Sequence, residues 1–199
     1  EITLAISIAA LNTSVPRFVG RFLFGPAEVG LLAGFMQLGN VFTPFLTGLS
    51  QAAMPRLGRS HQSGAYSQFF RLTLLLALVA VVCALALVGI AFSPVRDYAI
   101  GLVLSPEFAQ KGVLFGYVAA GAFFAYLNVV MGPVVMAQLQ YRSELIRCIV
   151  TFSILLVVGF FLGHRYGVAG VFCAVILAQA VRSLWLGASL FKSYQRSTP

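Results

Sequence analysis

Six long apolar runs dominate this chain and leave it few ways to fold. They fall at 2–24, 28–53, 71–93, 112–138, 145–163 and 167–191. Each approaches or exceeds the ~20 residues that carry a helix across a hydrocarbon layer. The runs are too long for barrel strands, which alternate over about ten residues. The expected fold is therefore all-α: a polytopic membrane helix bundle of about six transmembrane helices. Short connections predict antiparallel neighbours. Residues 1–191 read as one six-helix transmembrane unit and 192–199 as a polar cytoplasmic tail. With 60% hydrophobic and 9% charged residues, the chain lacks the polar surface to cover a water-soluble globule; soluble domains carry roughly 25% charged residues.

Charge then orients the bundle. Thirteen Lys and Arg against five Asp and Glu leave a net +8. Nucleic-acid binding is not expected, because no basic-aromatic platform accompanies the charge. Basic residues instead mark the cytoplasmic side of membrane proteins. Arg56, Arg59, Arg71, Arg142, Arg147, Lys192 and Arg196 fall on one predicted side, against Arg96, Lys111 and Arg165 on the other. Both ends of the chain are thus expected in the cytoplasm. The outer connection, 94–111, reads as a simple connector, although 97–104 has the pattern of a short interfacial helix.

Nothing in the chain reads as catalytic. It has no Ser-His-Asp pattern and no glycine loop for phosphate, so the protein is expected not to be an enzyme and to need no cofactor. Cys83, Cys148 and Cys173 lie in separate apolar runs and read as packing residues. His61 and His164 read as solvated, and no metal site is expected. Acidic residues inside the helices occur only near their ends, at Glu28 and Glu144, so no buried carboxylate is expected to serve an ion relay.

The informative residues are the polar ones inside the apolar runs. An ionisable side chain at the bilayer centre costs about 2.5–3.5 kcal/mol on insertion scales and normally faces a cavity or a partner. Arg17 and Arg21 are four apart, and Thr13 extends the same helical face by one turn. Pro16 favours a kink. Two arrangements fit "NTSVPRFVGRF". Either the first helix stops near Leu11 and the arginines lie in the headgroup layer, or it runs to Phe24 and they line a cavity for an anionic head group. Guanidinium groups bind phosphate oxygens bidentately. The stronger break at Gly25-Pro26 favours the longer helix. In the second run, Asn40, Thr43, Thr47 and Ser50 share a face, flanked by Gln37 and Gln51, with Pro44 as a kink. They read either as interhelical hydrogen-bonding groups or as cavity lining. In the sixth run, Gln179 and Arg182 lie three apart, and Arg182 is placed to snorkel.

These residues resemble a known family. "LNTSVPRFVGRFLFGPAEVGLLAGFMQLGNVFTPFLTGLSQAAMPRLGR", 11–59, is similar to the seventh-to-eighth helix region of bacterial polysaccharide flippases. Those proteins belong to the multidrug/oligosaccharidyl-lipid/polysaccharide exporter superfamily. The matching pattern comprises Asn12, Thr13, Pro16 and Arg17, then Gly25 and Gly30, then Ala53 and Pro55. "LVLSPEFAQKGVLF", 102–115, resembles the family's outer segment, with Ser105 in place of the usual glycine. "HRYGVAGVFCAVILAQAV", 164–181, resembles its last loop and helix. The resemblance implies a transporter of two six-helix lobes around a central cavity, with this chain as the second lobe and an N-terminal half missing. It implies a polyprenyl-diphosphate-linked oligosaccharide as cargo, moved across the bacterial cytoplasmic (inner) membrane. Arg17, and with it Arg21, would meet the diphosphate; Thr13, Asn12, Asn40, Thr43 and Thr47 would line the cavity. The alternatives are a multidrug/cation antiporter of the same superfamily, whose cavity should be acidic, and an envelope-assembly membrane enzyme, which should carry a long outer loop.

Overall fold

The computed structural model describes the backbone of residues 2–137 and 141–197, and the side chains of 8, 11–136 and 142–190. All regular structure among these residues is helical: α1 (Ile2–Leu23), α2 (Pro26–Gly39), α3 (Thr43–Gln62), α4 (Tyr66–Phe92), α5 (Arg96–Val103), α6 (Pro106–Ala109), α7 (Val113–Ala137) and α8 (Tyr141–Ser197). Three spans are long and apolar enough to cross a membrane, within α4, α7 and α8; a fourth appears if α2 and α3 count as one.

α4 shows which solvent this surface suits. Its buried face is Phe69, Thr73, Leu76, Ala80, Ala84, Leu87 and Ala91, repeating every three or four residues. Its exposed face carries Leu74, Leu75, Leu78, Val82 and Leu85. Bulky aliphatic groups point outward while alanines face the neighbouring helices, the reverse of a water-soluble helix. Small residues at contacts let membrane helices approach where hydrophobic exclusion of water cannot drive them together.

Three sequence expectations change. The second run is broken: α2 and α3 meet at a 43° bend. The break falls at Asn40–Phe42, just before Pro44, which has no amide hydrogen to donate. α3 then runs past the predicted end at 53 to Gln62, and α4 begins at Tyr66, so Arg56, Arg59 and Arg71 sit on helices instead of in a loop. Residues 96–103 form a helix, not a plain connector. There Arg96 donates to Asp97 at 2.8 Å. That hydrogen bond holds the Asp97 carboxyl below its ordinary range, on a solvent-facing pair that adds little to stability.

α8 is a hairpin. Its 57 residues would span roughly 86 Å if straight, nearly three times the ~30 Å hydrocarbon layer. Gly167 interrupts it at φ 65°, ψ −148°, a backbone region open essentially to glycine alone. The chain there doubles back. A Cβ on Gly159 would lie 3.8 Å from Ala174, and one on Gly163 would meet Val171 at 3.0 Å. These pairs converge toward Gly167, as antiparallel arms require. The second arm continues as helix to Ser197, into the predicted tail. Lys192 and Arg196 lie outside the described side chains.

α7 lies at the centre, touching α2, α3, α4 and α8, while α1 packs along α8. Asn128 on α7 donates to the Gln179 carbonyl at 3.0 Å and to its side-chain oxygen at 2.7 Å. Fully buried Tyr126 donates its hydroxyl to the Gly39 carbonyl at 2.9 Å, pinning the end of α2 at the break. Tyr126→Phe strands that carbonyl and is expected to cost roughly 1–3 kcal/mol, read as a lower melting temperature of the detergent-solubilised protein.

Candidate functional site

α1 runs unbroken through Pro16 to Leu23, so the first helix does not stop near Leu11 and both arginines belong to it. Thr13 and Arg17, one turn apart on α1, face the α2–α3 break. Between them lies a hollow of about 590 Å³, lined also by Met36, Gln37, Asn40, Thr43, Pro44, Thr47, Gly48 and Gln51. Five of the seven predicted site residues therefore meet in one place: Thr13, Arg17, Asn40, Thr43 and Thr47.

The chemistry of the hollow is uneven. Six lining side chains are uncharged amides or hydroxyls, and Arg17 is the one charge among the lining residues. Arg17 has no hydrogen bond or ion pair with another described residue, so its donors are open to a ligand. Thr43 donates to Asn40 across the break at 3.5 Å. The first turn of α3 lines the hollow, and the positive end of its dipole adds to the arginine's field. Such a surface attracts an anion and offers hydrogen bonds to hydroxyl-rich groups.

Two predicted members fall elsewhere. Asn12 is buried and donates to the Cys148 carbonyl at 3.3 Å. It lies about 100° around α1 from Thr13, which turns it toward α8. Arg21 is exposed in the last turn of α1, outside the lining. Ser50, from the same predicted stripe, is buried and turns back to the Thr47 carbonyl at 3.1 Å.

A second polar cluster contradicts the expectation of no buried carboxylate. Glu144 lies in the first turn of α8, near a helix end as expected, but is 2% exposed; Arg147, expected in a loop, is on the same helix and 1% exposed. Arg182 from the other arm of α8 hydrogen-bonds the Glu144 carboxylate, and Arg147 Nε lies 3.3 Å from its second oxygen. Arg147 also donates to the Ser143 carbonyl at 3.1 Å and to the Ser189 hydroxyl at 3.3 Å. A buried carboxylate is thus present, held between two guanidinium groups. The sequence signal was the i, i+3 pair at 144 and 147 with an arginine inside the last apolar run; what hid it was the fold-back at Gly167. No group of three or more metal-ligating side chains occurs among the described residues.

Comparison with known proteins adds one relative. Over 181 residues the chain is 21% identical to the capsular polysaccharide biosynthesis protein CapF of Staphylococcus aureus, covering 88% of this chain and 44% of that protein. The chain therefore spans less than half the length of that relative. No family model matches, and no solved structure matches.

Proposed function

We propose that this chain is one half of a flippase that carries a polyprenyl-diphosphate-linked oligosaccharide across the bacterial cytoplasmic membrane. On this reading α1, the broken pair α2–α3, α4, α7 and the two arms of α8 are six spans, forming one lobe of a two-lobe transporter. Rocking of the lobes about the hollow would expose it to each side in turn. The chain would act by transport and not as an enzyme, with the missing N-terminal half as its partner. Arg147 leaves the count of cytoplasmic charges, so seven becomes six against three, and both ends remain assigned to the cytoplasm.

The observation that carries this reading is Arg17 in an amide- and hydroxyl-lined hollow beside a broken membrane helix. The guanidinium would neutralise diphosphate charge, and Gln37, Asn40, Thr43, Thr47 and Gln51 would hydrogen-bond sugar hydroxyls. The likeness to a polysaccharide biosynthesis protein supports the same cargo class. The cationic character of the hollow disfavours export of organic cations.

The test is complementation of a deletion strain by the full-length protein. Arg17→Ala at normal membrane level should cut surface polysaccharide about tenfold or more, as loss of a charge-assisted contact of ~1.5–3 kcal/mol implies. Arg17→Lys should restore part of it, because an ammonium keeps the charge and loses the fork. Normal polymer from Arg17→Ala would defeat the proposal.

A further inference from the structure

α1 has a second groove on its other side. Leu11, Phe18 and Phe22 of α1 face Phe152, Leu156 and Phe160 of the first arm of α8 across an apolar cleft of about 350 Å³. The lining is wholly apolar, yet its aromatic walls stand open: Phe18 is 56% and Phe22 83% exposed. From Leu11 to Phe22 the cleft follows α1 for roughly 16 Å.

Arg21 relates the two grooves. Around the helix it falls between Arg17, which lines the polar hollow, and Phe18, which lines the apolar cleft. The order across α1 is therefore hydroxyls and amides, guanidinium, guanidinium, aromatic wall. That sequence of chemistries matches an amphiphile whose sugar, phosphate and hydrocarbon parts follow one another in the same order.

We propose that the apolar cleft seats the first part of the lipid chain of the cargo, with the linking phosphate held near Arg21 as it passes over α1. The occupant is an isoprenoid chain attached to phosphate, selected from bulk phospholipid by the adjoining arginines. This inference rests on the flippase reading and assigns a role to Arg21, which the polar hollow leaves unused. Lipid tails are as apolar as the cleft, so the cleft contributes packing and not exclusion of water; selectivity comes from the charge beside it.

The test uses the full-length protein in phosphatidylethanolamine–phosphatidylglycerol vesicles and a polyprenyl diphosphate carrying a photoreactive group in its first isoprene units. Crosslinks should map to peptides containing Phe18, Phe22 and Phe160. Unlabelled polyprenyl diphosphate should compete, and excess phosphatidylglycerol should not. Phe18→Ala/Phe160→Ala, both at exposed positions, and Arg21→Ala should each weaken the competed labelling several-fold at unchanged membrane level. Labelling elsewhere, absent labelling, or equal displacement by phosphatidylglycerol overturns the inference. Those results leave the Arg17 complementation result standing, so the two proposals fail separately. Crosslinks in the cleft together with normal export by Arg17→Ala would sustain a lipid-chain site while defeating the flippase cavity.

Discussion

Glu144→Ala is expected to destabilise the α8 hairpin and lower the amount of protein that accumulates in the membrane. The substitution leaves the Arg147 and Arg182 guanidinium groups inside the bundle with no carboxylate between them. Breaking a buried ion pair by deleting one member costs about 3–5 kcal/mol, because the surviving charge stays desolvated. Here one carboxylate serves two cations, and the first of them has a side chain with 0% exposure. Membrane abundance, and the melting temperature of any protein recovered in detergent, should both fall sharply. The control is removal of all three charges at once. Glu144→Leu/Arg147→Leu/Arg182→Met should recover most of the loss, since replacing a whole buried ionic group by apolar side chains is often neutral. A triple variant no better than the single one would show that the carboxylate has a role beyond balancing charge in the fold.

Gly170→Ala should be almost as damaging, for a steric reason. A Cβ at that position would collide with the carbonyl oxygen of Leu162, on the opposite arm, and lie 2.5 Å from its carbonyl carbon. Both obstacles are backbone, so no rotamer change relieves them. The arms must part, and the contacts stacked beyond the closure, Gly163 with Val171 and Gly159 with Ala174, loosen with them. Overpacking typically costs about 1–3 kcal/mol and sometimes more; a backbone clash belongs at the upper end. Gly187→Ala, on the same arm with open space around its Cα, is the matched comparison and should be nearly silent. Thermal unfolding of both variants beside the parent measures the difference, and equal stability would show that the arms do not close on Gly170.

Much of this was legible beforehand, for local reasons. Thr13 with Arg17, and Asn40 with Thr43 and Thr47, are spaced to share a helical face, and helical periodicity depends only on neighbours along the chain. Their meeting in one hollow was not local. It required α1 to lie against the α2–α3 bend, and the neighbouring Asn12, one residue and about 100° around the helix from Thr13, faces α8 instead. Arg21 shows the limit from the other side: its spacing from Arg17 is favourable, but the hollow ends before reaching it.

The ionic cluster was less legible still. Glu144 and Arg182 are 38 positions apart and meet only because Gly167 reverses the chain. Read in order, Arg147 follows a polar stretch and resembles a loop charge, and nothing nearby announces a partner.

By itself, then, the order of apolar and polar residues determined that the described chain is helical and suited to a membrane, because backbone groups in hydrocarbon must find their partners within the segment. The tertiary structure alone decided which polar groups look into a hollow, which are buried in pairs, and which stay exposed. Those outcomes depend on the angle at which one helix crosses another and on where a hairpin closes, and neither is written in the spacing of residues along a single helix.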